Sequence, residues 1–155
     1  MIIFAIGLDG LNFFNVTDAK KNKIQAIYGE FGLLQYLESQ LGLHVQEHSH
    51  FEDLIRYHQA VIEAQEGTFF EKSFKVDGLG SVQKLFIERN NLILSGWNKN
   101  KCGIKRIDDF AKVESLFFDK TTYAIRLRNA FNALMTKNVL SLPKIEVRTY
   151  KNSLP

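Results

Sequence analysis

Apolar positions along this chain follow two periods. Short runs at Ile2–Ile6, at Ile24, Ala26, Ile27 and Tyr28, and at Ile145, Val147 and Tyr150 are continuous or alternate with polar residues, the mark of strands. Elsewhere the apolar residues return every three or four positions. Leu33, Leu34, Leu37 and Leu41 predict a helix closed by Gly42, and Leu54, His58, Val61 and Ile62 predict one over 52–65. Phe69, Phe70 and Phe74 fit a short helix, with Thr68 as N-cap and Glu71 completing a capping box. Val82, Leu85, Phe86, Leu92, Ile93 and Trp97 mark the longest helix, which stops at Gly96. Phe110, Val113, Leu116 and Phe117 define a helix over 108–118. The last helix carries Ala124, Leu127, Phe131, Leu134 and Met135, with Thr121 or Thr122 as its cap.

Strands separated by helices predict an α-rich α/β domain. Its small parallel sheet is expected from strands near 2–6, 24–28 and 144–150, with a helical excursion over 31–137 between the second and last strands. The 155 residues are expected to form a single domain, and the unpatterned stretch Asn152–Pro155 suggests a piece of a longer protein. Apolar residues at 45% and charged residues at 24% describe an ordinary globular chain, which at this length buries enough surface to need no metal or disulfide staple. The lone Cys102 and the absence of a signal-peptide pattern in MIIFAIGL point to the cytoplasm. No apolar run reaches the roughly 18 residues of a membrane span, so no membrane partner is expected.

Charge is unevenly spread. Residues 1–77 hold 6 Lys/Arg against 11 Asp/Glu, and residues 78–155 hold 14 against 6. A basic half can be a footprint for phosphates. Lys105, Arg106, Arg126 and Arg128 are the candidate nucleic-acid contacts. The competing reading is that halves of a sequence need not become faces of a fold.

The strand–glycine–helix stretch over 24–43 is where α/β proteins hold phosphates on a helix N-terminus. The turn is Gly29-Glu30-Phe31-Gly32, without the Lys and Ser/Thr of G-x-x-x-x-G-K-[ST], and Glu30 repels phosphate. Gly29 and Gly32 therefore stand at a degenerate phosphate-loop position, and no ATP binding or other cofactor is expected. Gly78-x-Gly80 lacks the preceding strand and third glycine of a dinucleotide fingerprint. His44, His48 and His50 form an H-x3-H-x-H cluster that can bind zinc. With no cysteine or H-E-x-x-H nearby they read as solvated loop histidines, so no metal site is assigned. Cys102 beside lysines can be activated, but no partner histidine is identifiable. Adjacent Asp108 and Asp109 point about 100° apart on a helix and read as caps or solvated charges, as does Asp9. No catalytic residue is named, and a stand-alone enzyme using Asp9 with the histidines is the least favoured reading.

Three stretches together resemble a known family. Gly29-Glu30-Phe31-Gly32-Leu33-Leu34, continuing to Leu37-Glu38 and Leu41-Gly42-Leu43, is similar to a G-P-x-G-L-L…L-E…L-G-L signature, with Glu30 in place of the proline. Arg56-Tyr57 is similar to the R-x-x-x-Y segment that follows it. Phe69-Phe70-Glu71-Lys72-Ser73-Phe74-Lys75-Val76-Asp77 and Arg89-Asn90-Asn91-Leu92-Ile93-Leu94-Ser95-Gly96-Trp97 are similar to F-[FY]-x-x-S-F-x-x-D and R-[DN]-x-L-x-x-[AS]-G-W. These belong to large bacterial PD-(D/E)XK nuclease-family proteins resembling AddB and RecB, the helicase-nucleases of double-strand-break repair. The similarity covers roughly residues 24–150. It implies a non-catalytic, degenerate helicase-like N-terminal module, which contacts DNA or scaffolds a far C-terminal exonuclease. The implied partners are DNA and either the remainder of its own polypeptide or a helicase-nuclease partner subunit. The alternative is a protein-interaction module without nucleic-acid binding.

Overall fold

A computed structural model describes residues 2–6, 26–43, 49–119, 121–136 and 144–149. The chain divides into two compact units, residues 45–129 and residues 1–44 with 130–155.

The 45–129 unit is helical. It contains α2 (His50–Ala64), α3 (Glu71–Val76), α4 (Gly78–Leu94), α5 (Lys105–Glu114) and the first half of α6 (Tyr123–Thr136). Its core joins Leu54, Tyr57 and Val61 of α2 to Val82, Leu85 and Phe86 of α4 and to Phe110 and Val113 of α5. Phe70 and Phe117, which flank helices, close it. Tyr57, Phe86 and Phe117 stack mutually at centroid distances of 5.1 to 6.3 Å, in the offset and edge-on arrangements that aromatic quadrupoles favour.

The helix ends have local causes. Ser49 caps α2 by accepting the Glu52 N–H at 3.1 Å, while the Glu52 carboxylate accepts the Ser49 N–H at 2.8 Å. This capping box starts the helix two residues before the expected Glu52. Thr68 does not cap α3: its hydroxyl donates to the Gln65 carbonyl, and Glu71 instead accepts the Gly67 N–H. Asp77 caps α4 by accepting the Gly80 N–H at 2.9 Å. A Cβ at Gly80 would lie 2.1 Å from the Asp77 carboxylate, which explains the second glycine of Gly78-x-Gly80 as room for a cap. At the other end Gly96 has φ +99°. Its N–H donates to the Ile93 carbonyl and that of Trp97 to the Leu92 carbonyl, a Schellman closure.

The other unit holds α1 (Glu30–Leu41), the rest of α6, and the extended segments β1 (Ile2–Ile6), β2 (Ala26–Tyr28) and β3 (Ile145–Thr149), which run parallel in the order β2-β1-β3. Gly42, at φ +66°, ends α1 with a second Schellman pair to Glu38 and Ser39.

The expected fold class is corrected. The described residues are dominated by six helices rather than by a sheet, and the core of the 45–129 unit is built from helices and the residues that flank them. The apolar stripes of α2, α4 and α5 cover one another, so this stretch is no excursion from a sheet but a body with its own core. Extended segments of five, three and five residues carry too little surface to organise it.

Tyr57 is fully buried and its hydroxyl has no hydrogen-bond partner among the described residues. Burial, and secondarily the charge of Glu114, pushes its pKa well above that of a free tyrosine. An unpaired buried hydroxyl is destabilising, so Tyr57→Phe is expected to stabilise the protein by about 1 kcal/mol. Thermal melting should rise by roughly 2–4 °C; a fall would show that the hydroxyl is bonded.

Candidate functional site

The residues similar to F-F-x-x-S-F-x-x-D and R-N-x-L-x-x-S-G-W converge on α5. The Phe69 ring lies 5.6 Å from that of Phe110, and Trp97 lies 6.3 Å from it on a second side. The Phe69 N–H donates to the Asp109 carboxylate at 2.8 Å.

Arg89 is the hub. On α4 it falls three residues after Phe86 and four before Ile93, which puts it on the apolar stripe, and it is fully buried. Its Nε donates to Glu114 Oε1 at 2.7 Å and one terminal nitrogen to Glu114 Oε2 at 3.1 Å. That same nitrogen reaches Asp119 Oδ2 at 2.5 Å, and the other meets Asn90 Oδ1 at 2.8 Å and Thr122 Oγ1 at 3.2 Å. The guanidinium also sits 5.1 Å from the Phe117 ring centroid. Burial alone would lower its pKa; the hydrogen bonds and charges of Glu114 and Asp119 outweigh that and raise it. Burial likewise pushes the Asp119 carboxyl up, but the Arg89 charge and the bonds from Thr122 and Thr121 hold it below the usual range. Asp119 accepts the Thr121 and Thr122 N–H groups and so shapes the entry to α6.

The basic candidates do not form one surface. Lys105 and Arg106 lie exposed on the first turn of α5. Lys105 bonds the Gly67 carbonyl and sits 3.4 Å from Asp109. Arg106 makes a forked pair with Glu88 at 2.7 and 2.6 Å and stacks 4.2 Å over Phe69; the Glu88 bond raises its pKa. Arg126 is buried. Arg128 is half-buried and donates to the Trp97 carbonyl.

In the other unit, Gly29 alone joins β2 to α1 and N-caps the helix in an extended conformation. Gly32 lies within the first turn, where a Cβ would meet the Tyr28 ring at 3.1 Å. Tyr28 stacks on Tyr36 at 5.4 Å. A one-residue joint has no length to wrap a triphosphate, whose loop needs several residues between strand and helix.

The adjacent Asp108 and Asp109 have structural partners. Asp108 accepts the Cys102 and Gly103 N–H groups at 2.8 and 3.2 Å. Among the described residues no cluster of three or more metal-ligating side chains forms; His50 packs on Phe86 and His58 on Phe74. Asp9, His44 and His48 lie outside the described residues. Sequence reasoning missed the Arg89–Glu114–Asp119 network, although an arginine on an apolar stripe was the available signal. Among the described residues no helix is long and apolar enough to cross a membrane. No protein-family model, no curated protein and no solved structure matches this chain.

Proposed function

We propose that this chain is a non-catalytic, degenerate helicase-like module of a DNA double-strand-break repair nuclease, and that it contacts DNA or scaffolds the nuclease. One observation carries the reading: the motif residues of separate stretches are all used in caps, closures and packing rather than held open as a site. Asp77 caps α4, Arg89 ties α4 to α5 and to the α6 entry, Gly96 closes α4, and Phe69 and Trp97 flank Phe110. Residues used this way build architecture, which is what a scaffold requires. Lys105 and Arg106 are the exposed pair of the four basic candidates. In this reading the module works in the cytoplasm without nucleotide, joined to the rest of a longer polypeptide or to a helicase-nuclease partner subunit.

The test is fluorescence anisotropy of labelled duplex and single-stranded DNA with rising salt. Two phosphate contacts give about a tenfold loss of affinity between about 50 and about 200 mM salt. Binding that is absent at the low end, or indifferent to salt, overturns DNA contact.

A protein-interaction module is the second reading. It is favoured by the outer stripe of α2, where Phe51, Ile55 and Ile62 are 68%, 45% and 46% exposed. This reading expects no DNA binding at low salt, so the same titration separates the two.

A further inference from the structure

A cleft of about 430 Å³ opens beside the loop that follows α4. Lys99, Asn100 and Lys101 of the loop line it, with Lys112, Glu114 and Ser115 on and after the end of α5. Its size falls within the roughly 300–1,000 Å³ of small-molecule sites. We infer that this cleft binds a phosphate group.

Three lysines from two elements line it. Glu114, its carboxylate, is already paired with Arg89 at 2.7 Å and with Lys99 at 3.2 Å, so it does not oppose an anion at full strength. An ammonium has three donors. Lys99 uses one on Glu114, and Lys112 uses one on the Glu66 carbonyl at 2.8 Å, leaving each with two. Lys101 is exposed and makes no hydrogen bond or ion pair among the described residues. Lys105 and Arg106, by contrast, already face Asp109 and Glu88.

The loop is held in place before any ligand arrives. The Trp97 indole N–H donates to the Asn100 carbonyl at 2.9 Å, and the Asn100 N–H donates to the Asn98 side chain at 3.1 Å. Asp108 pins Cys102 and Gly103, and Arg128 holds the Trp97 carbonyl. Lys99 sits at φ +69°, a conformation that costs a non-glycine residue about 1 kcal/mol or more and persists because these bonds over-determine it. A loop backbone fixed in advance loses little entropy when its side chains meet an anion.

The phosphate can belong to a nucleic-acid strand or to a free phosphate compound. Only the first source rests on the DNA-contact reading. Amide NMR shifts of the full chain, titrated with pyrophosphate and separately with a short oligothymidylate, distinguish them. The variants are Lys101→Gln and, as control, Lys72→Gln on the exposed face of α3, outside the cleft. Both ligands are expected to shift the Asn100, Lys101 and Ser115 amides. Lys101→Gln should weaken pyrophosphate by about tenfold and lower the salt slope for the oligonucleotide by about 0.7, while Lys72→Gln changes either by less than about twofold. Pyrophosphate bound in the cleft without oligonucleotide binding supports the site, assigns it to a free phosphate and removes the DNA reading. Oligonucleotide binding unaltered by Lys101→Gln overturns the site and leaves the DNA reading standing. Silence of the cleft amides to both ligands overturns the site as well.

Discussion

Arg89→Ala is expected to cost about 3–5 kcal/mol of folding stability, the range for removing one partner of a buried ion pair. The loss is large because of what stays behind. Glu114 and Asp119 have side chains 2% and 0% exposed, and without the guanidinium both carboxylates remain in the core with their main counter-charge gone. Lys99 pairs with Glu114 at 3.2 Å but not with Asp119. Against a total stability of roughly 5–15 kcal/mol, the variant sits near the threshold of folding. Arg89→Lys should rescue little, because a point ammonium cannot present the planar fork that bonds both Glu114 oxygens.

The sign of the pH dependence checks the cause. In the parent protein Asp119 is held below its usual range, so its contribution is fully present above the unfolded value of about 4 and is lost as pH falls through the folded one. In Arg89→Ala the Asp119 carboxylate loses the charge that held it low and favours protonation, which neutralises it and relieves part of the penalty. The deficit against the parent should therefore shrink between about pH 7 and about pH 4, read by urea unfolding at both. Adding Glu114→Gln to Arg89→Ala should recover part of the loss at neutral pH, a coupling that a double-mutant cycle isolates. A deficit under about 1 kcal/mol, or one unchanged by acid, would mean the network is not the fastening described here.

Periodicity made the helical stripes legible. Val82, Leu85, Phe86 and Ile93 were placed inward from spacing alone, and they are buried. The same spacing puts Arg89 on that face, yet its partners stand 25 and 30 residues away, and no local pattern says which carboxylates will bury with it. Capping shows the same boundary of local information. Ser49-x-x-Glu52 and Thr68-x-x-Glu71 match one pattern, but only the first forms the box; the Thr68 hydroxyl is taken by the Gln65 carbonyl. Short signatures name donors and acceptors, and the fold decides the pairing. The outer end of the α6 stripe was also misread: Phe131 and Met135 are 59% and 73% exposed. The fold class was misjudged for a related reason. A strand–glycine–helix segment carries a strong local pattern, whereas the mutual burial of α2, α4 and α5 is a tertiary fact that outweighs it. The phosphate cleft was illegible too, since Lys112 joins Lys99 and Lys101 only once α5 folds back beside the loop.

Phe110→Ala is the second large effect, with an expected loss of about 3–5 kcal/mol. Phe110 is fully buried, between Phe69 at 5.6 Å and Trp97 at 6.3 Å, so truncation removes the ring on which both motif stretches pack. Phe110→Leu keeps most of the volume and should cost less than about 1.5 kcal/mol. Trp97 is the sole tryptophan of the chain, so its fluorescence reports this contact directly. In Phe110→Ala the emission should shift red under conditions where far-ultraviolet circular dichroism is retained. The consequence reaches the cleft, because the 98–103 loop hangs on the Trp97 indole through the Asn100 carbonyl. A loosened indole frees the loop backbone that carries Lys99 and Lys101, and phosphate affinity should fall even though no lysine has changed. Unaltered emission with a stability loss under about 1.5 kcal/mol would show that Phe110 does not join the two stretches. Full stability loss with unaltered phosphate affinity would detach the loop's order from the core and leave Asp108 and Arg128 as its anchors.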